Sequence, residues 1–123
     1  YYFIDINNKC LSCDGKNSYK LNICNSQFKE QLFILHEIKN NESYNKFIKM
    51  SGNYKSEDII DILDTNIVYP FFILSPFMVP GYCVYIFQDQ LSIKPIRNDP
   101  HQRFNEIFFS TFCNVTDINN RKV

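Results

Sequence analysis

Apolar residues fall in short alternating runs, with polar turns between them. Tyr2-Phe3-Ile4-Asp5-Ile6 alternates partway, as a half-buried strand does, and Asn7-Asn8 is a turn signal. Lys9 to Cys13 makes a second short run, closed by Asp14-Gly15. Then Tyr19, Leu21 and Ile23 point one way while Lys20 and Asn22 point the other. Asn25-Ser26 turns the chain again before Gln31 to Leu35. Four short strands at this spacing predict a barrel or sandwich. Further on, Ser56-Glu57-Asp58 before Ile59-Ile60 resembles a helix start. The competing reading, a strand through Ile60, Ile62 and Asp64, agrees better with the repeat described next and is preferred.

The pattern partly repeats itself. Leu32-Phe33-Ile34-Leu35 returns as Phe71-Phe72-Ile73-Leu74. Lys9-Cys10-Leu11 returns loosely as Lys46-Phe47-Ile48 and as Tyr82-Cys83-Val84, at intervals of 37 and 36 residues. The aromatics Phe33, Phe72 and Phe104 are spaced by 39 and 32. One four-stranded unit cannot bury its apolar face alone, whereas three around a pseudo-threefold axis close a barrel.

Composition narrows the class. The chain of 123 residues suits one domain, and 45% hydrophobic content argues against disorder. It contains no Ala and no Trp and is rich in Ile, Asn, Lys, Tyr and Phe, a bias toward sheet that an AT-rich genome also produces. Thirteen basic residues balance thirteen acidic ones, so no clustered positive charge points to nucleic acid. The longest apolar stretch, Ile67 to Val79, is broken by Pro70 and Pro76, so membrane insertion is not expected. No signal peptide is present and the first residue is Tyr1, which fits a mature, processed chain or only part of one. Five cysteines, Cys10, Cys13, Cys24, Cys83 and Cys113, suggest an oxidising compartment and a secreted, extracellular protein. The odd number leaves one thiol free or paired with another chain. Asn41-Glu42-Ser43 and Asn114-Val115-Thr116 are sequons that add weak support, making Asn41 and Asn114 candidate glycosylation sites.

These runs resemble a known family. Lys9-Cys10-Leu11, Leu21-Asn22-Ile23-Cys24-Asn25 and Glu30-Gln31-Leu32-Phe33 together are similar to one repeat of the ricin B-type lectins, with Phe33 in place of Trp in the Gln-x-Trp element. Leu91 to Phe104, ending Asp99-Pro100-His101-Gln102-Arg103-Phe104, resembles another. Pro70-Phe71-Phe72 stands at the Gln-x-Trp position of the most worn, middle repeat. The resemblance implies an all-β fold, a β-trefoil of three four-stranded repeats over residues 1–36, 37–74 and 75–113, with 114–123 as a C-terminal tail. It also implies a Cys10–Cys24 disulfide, and the position of the two at the open end of a hairpin agrees. Ile96 stands where a partner for Cys83 belongs; Cys83 pairs with Cys113 or Cys13, and the sequence does not choose.

In sugar-binding repeats of this family, an Asp, an aromatic and an Asn form a clamp. Here those positions are Ser12, Asn22 and Glu30 in the first repeat, Lys49, Ile62 and Tyr69 in the second, and Tyr85, Lys94 and His101 in the third. No repeat keeps the set. Asp14 is a candidate substitute acceptor, although an Asp before Gly more often makes a turn. Gln31 and Gln102 are candidate ligand contacts, although the same Gln builds the core. Tyr85, His101 and Gln102 are a candidate small polar pocket.

Other chemistry finds little footing. Cys10-Leu11-Ser12-Cys13 has C-x-x-C spacing but lies in a strand, with no second pair for zinc. Asp58, Asp61 and Asp64 lack the spacing of a calcium loop, and His36 and His101 have no nucleophile beside them in sequence. No cofactor, metal or enzymatic activity is expected. The expectation is a binding module for a glycan or glycoprotein. The alternative is a trefoil that has lost its sugar sites and joins other secreted structural proteins, including through an inter-chain disulfide. The composition is similar to that of microsporidian secreted ricin-B-like proteins, some of which belong to the spore wall or invasion tube.

Overall fold

Turn chemistry sets the first hairpins. Asn7 and Asn8 both take left-handed backbone (φ 55° and 65°), the conformation Asn tolerates best after Gly, and they join β1 (Tyr2–Ile6) to β2 (Lys9–Gly15). β3 (Ser18–Asn22) folds back on β2 with Leu11 opposite Leu21. A 3-10 turn at Lys29–Gln31 then leads into β4 (Phe33–Ile38). A computed structural model describes residues 2–15, 18–105 and 114–117. Within them the chain is mostly antiparallel β, consistent with the all-β expectation, with one α-helix.

That helix, α1 (Asn41–Ser51), replaces the strand expected at Lys46-Phe47-Ile48. Its signals are local. Asn40 and Ser43 form a reciprocal capping box, Tyr44 and Ile48 stand four apart on the buried face, and Gly52 ends the helix in left-handed backbone (φ 78°). The segment 52–70 that follows is irregular, with a 3-10 turn at Ser56–Asp58. The strand preferred through Ile60, Ile62 and Asp64 does not form, because helix side chains take its backbone groups. Asn45 bonds both the amide and the carbonyl of Ile60, and the Asn41 amide donates to the carbonyls of Asp61, Ile62 and Asp64. The described helix is too short to cross a membrane.

β5 (Phe71–Pro76) pairs along its whole length with β4. The hairpin β6 (Tyr82–Phe87) and β7 (Gln90–Pro95) follows, closed by Gln88 and Asp89 in left-handed backbone. A 3-10 turn at Pro100–Gln102 brings Phe104 to a bridge with Phe72. β8 (Asn114–Asp117) pairs with β1, so part of the expected C-terminal tail is a strand.

The repeat therefore has two clear copies. Tyr2 pairs with Phe33 as Phe72 pairs with Phe104. Cys10 faces Asn22 as Cys83 faces Lys94, and Ser12 faces Lys20 as Tyr85 faces Ser92. Phe71-Phe72, expected to close a middle repeat, instead opens the second copy. Between the copies lie β4, α1 and the irregular segment.

Two apolar clusters hold this together. One joins Ile4, Leu11, Cys13, Phe33, Leu74, Val84, Ile93, Phe104 and Val115 beneath both hairpins. The other packs Tyr44 and Ile48 of α1 on Ile38, Phe71, Ile73, Cys83 and Ile96. Burying each large side chain contributes about 1.5–3 kcal/mol.

Candidate functional site

Gln31 and Gln102 fix the turns that follow β3 and β7. Gln31 accepts from the Asn25 amide at 2.8 Å and donates to the Ile23 carbonyl at 2.7 Å. Gln102 accepts from the Arg97 amide at 3.0 Å and donates to the Pro95 carbonyl at 2.8 Å. Both are buried, and both carboxamides are spent on tying a 3-10 turn to the strand end before it. They are core-building residues and touch no open surface.

The turn at Gln102 lies against β6, whose side chains alternate. Tyr82, Val84 and Ile86 pack with the hairpin core, while Cys83, Tyr85 and Phe87 lie on the opposite face, which runs from the buried Cys83 to the exposed Phe87. Lys94, opposite Cys83, lies on that same face. Asp99 caps the turn, accepting from the His101 amide at 2.9 Å, and Pro100 occupies the first position, where no amide is needed.

These elements gather five side chains. The His101 ring lies 4.8 Å from that of Phe87, edge to face, and 5.4 Å from that of Tyr85. The Lys94 ammonium sits 5.9 Å from the Tyr85 centroid. His101 Nδ1 meets Asp99 Oδ1 at 2.8 Å. A carboxylate only accepts, so Nδ1 donates in this contact and Nε2 is left for another partner. Phe87 is 47% exposed. The patch thus combines aromatic surface, a ring nitrogen and an ammonium, all held by backbone-anchored turns. It has the means to bind. The hydrogen bonds of His101 go to Asp99, and its other contacts in the patch are with aromatic rings.

Tyr85, Lys94 and His101, the three positions expected as a clamp from the family resemblance, lie together in this fold. Phe87 and Asp99 were not singled out for the site. Their signals were the alternation after Cys83 and the Asp-Pro start of the turn.

In the first copy Ser12 is buried with its hydroxyl unpartnered, while Asn22 and Asp14 are exposed. Asp14 stands at the hairpin end, as a turn residue would. Tyr69 turns its hydroxyl onto Asn41 while Lys49 sits on α1 and Ile62 on the following loop, so the expected middle set does not assemble. Asn41 is buried and its amide nitrogen is held by three carbonyls, which leaves no room for a glycan in this fold. Asn114 lies in β8 opposite Asp5.

The cysteines divide clearly. Cys10 and Cys24 form a disulfide with Cα atoms 4.9 Å apart. Cys24 is two residues beyond Asn22, the strand partner of Cys10, so the bridge ties the chain past the end of β3. Cys13 faces Tyr19. In the second copy Cys83 and Ile96 share a buried apolar cluster where the first copy has its bridge. Cys13 and Cys83 are free and buried, so neither forms the pair considered for them; Cys113 lies outside the described residues. Burial raises the thiol pKa of both, in Cys13 against a hydrogen bond to the Gly15 carbonyl, which makes them unreactive.

The three aspartates are also spent. Asp58 binds Arg97 Nε at 2.6 Å, Asp61 accepts from the Leu63 amide and Asp64 from the Asn66 amide. Among the described residues no group of His, Cys, Asp and Glu is arranged to hold a metal ion. No protein-family model matches this chain, and neither a curated protein nor a solved structure matches it.

Proposed function

We propose that the chain is a secreted, non-catalytic binding module that takes a glycan on the Tyr85–Phe87–His101 patch. The observation that carries this reading is the convergence of Tyr85, Lys94 and His101. Sugar rings present C–H faces that stack on aromatic surface, and hydroxyls that need hydrogen bonds to replace lost water. Phe87 and Tyr85 supply the first, His101 Nε2 and Lys94 the second. The two matching copies support descent from a ricin B-type trefoil whose middle repeat has become α1 and its loop. The Cys10–Cys24 bridge supports an oxidising compartment.

A glycan array with the folded domain tests the proposal, followed by NMR titration of any hit. Shifts should centre on Tyr85, Phe87, Lys94 and His101, and Phe87→Ala should weaken binding about tenfold, or ~1.4 kcal/mol. Silence across neutral, sialylated and sulfated glycans would sink the proposal.

A second reading, protein–protein assembly, is favoured by one feature. Ile62, Leu63 and Val68 are 64%, 85% and 84% exposed on the segment whose backbone α1 pins in place. Exposed apolar side chains on a fixed loop suit a protein partner. Co-sedimentation with other secreted proteins of the source, lost in Leu63→Asp but not in Phe87→Ala, would select this reading.

A further inference from the structure

A groove of about 650 Å³ opens between α1 and the β4–β5 pair and shares no residue with the aromatic patch. Register explains its origin. Ile34 opposes Ser75, His36 opposes Ile73 and Ile38 opposes Phe71, so these six share the sheet face that α1 covers. Tyr44 and Ile48 seal the Ile38–Phe71–Ile73 end. The helix leaves the Ile34–Ser75 end open, where Ile34 stays 39% exposed. Phe47 and Met50 form the helix wall, Phe77 and Pro80 the far side.

The floor has an unmet polar group. Ser75 lines the groove, and its hydroxyl is buried with no hydrogen-bond partner. Buried hydroxyls are nearly always satisfied, and one lining an apolar groove awaits an oxygen that is not on the protein. Charge around the groove is weak. His36 lies tilted against Phe47 with ring centroids 4.7 Å apart, and burial lowers its pKa, which favours the neutral ring. Glu37 is met by Lys39 at 3.4 Å. Lys46 at the rim is exposed, where an ion pair adds little. The other hydroxyls that line the groove, Ser43 and Ser51, already donate to the Asn40 and Ile48 carbonyls, so Ser75 is the unpartnered one. Volume, apolar walls and few free polar groups are the attributes of a small-molecule site.

We infer that this groove binds a small uncharged amphiphile, an apolar chain or ring system carrying one hydroxyl or carbonyl oxygen that bonds Ser75. The apolar body lies along Ile34, Phe47 and Met50, and the oxygen completes the Ser75 hydroxyl.

The test uses the intact chain with 1-decanol, decanoate and decylamine as matched probes, read by amide chemical-shift titration. Decanol should shift the amides of Ile34, Ser75 and Met50 in a saturable way and bind more tightly than either charged probe. Ser75→Ala, which removes the hydroxyl and adds no bulk at this buried position, should weaken decanol binding about tenfold while the fold persists. Ile34→Asp and Met50→Lys change exposed positions, so folding is retained while binding is lost. Three outcomes overturn the inference: no saturable shift at those amides with decanol, a Ser75→Ala protein that binds decanol as well as the parent, or decanoate binding more tightly than decanol.

Discussion

Gln31 and Gln102 show how much one side chain decides here. Each satisfies one backbone amide and one backbone carbonyl at a strand end, and each is itself enclosed. Replacing Gln102 by Leu strands the Arg97 amide and the Pro95 carbonyl, which costs about 2–4 kcal/mol for two unpaired groups. Urea unfolding should show that loss, and the His101 ring should lose its fixed position beside Phe87. Asp58 makes a second residue-scale case. Its burial favours the neutral acid, but hydrogen bonds from Arg97 and from the Lys55 and Asn98 amides, with the Arg97 charge, outweigh that and lower its pKa from 3.8. A carboxylate depressed in the folded state stabilises the protein above its unfolded pKa, and the contribution disappears as pH falls through the lower folded value. Between about pH 5 and pH 2, the parent should therefore lose more stability than Asp58→Asn. Equal acid sensitivity in denaturation curves would remove Asp58 from this role.

At the scale of elements, α1 depends on its ends and on its asparagines. The Asn40 side chain accepts from the Ser43 amide at 2.8 Å, so Asn40→Ala should destabilise the protein by about 1 kcal/mol in thermal or urea melts. Beyond the helix C-terminus, Gly81 has φ 83°, and a methyl there would sit 2.8 Å from the Asn53 amide and 3.0 Å from the Ser51 carbonyl. This close approach seats the helix end on the strand that follows. Asn45 pairs with both backbone groups of Ile60, and Asn45→Ala should release that amide, raising its hydrogen-exchange rate while amides of β4 and β5 stay protected. Unchanged exchange at Ile60 would mean the loop is held by other means.

For the whole molecule, the Cys10–Cys24 bridge and the two buried thiols make separable predictions. Reducing the bridge reopens a loop of about 15 residues and should cost about 3 kcal/mol. Cys13 and Cys83 are fully enclosed, one in each apolar cluster. Peptide-resolved alkylation should therefore leave both unmodified in the folded protein and label both in denaturant. Labelling of Cys83 under native conditions would contradict the packing of α1 against β5 and β6.

Much of the first copy was legible in the chain. Alternation at Tyr19, Leu21 and Ile23, the turns at Asn7-Asn8 and Asp14-Gly15, and the paired cysteines are local features whose consequences are local, so β1 to β4 follow from them. The hairpin around Tyr85 and the turn at Asp99-Pro100 were legible for the same reason, and three of the five patch residues came with them. The middle of the chain was not. Lys46-Phe47-Ile48 looks like a strand start by spacing, yet Asn40, Tyr44, Ile48 and Gly52 describe a helix, and cap and apolar face prevailed over a loose likeness to another segment. Phe71-Phe72-Ile73-Leu74 reads the same whether it ends one repeat or begins the next, because both kinds of strand are apolar on two faces. Only pairing with β4 and the bridge to Phe104 decides between them. The sequence by itself determined the short strands, their turns, the first disulfide and the Gln-centred elbows. Tertiary structure decided the number of copies, the groove beside Ser75 and the meeting of Phe87 with His101, since each depends on which distant segments share a face.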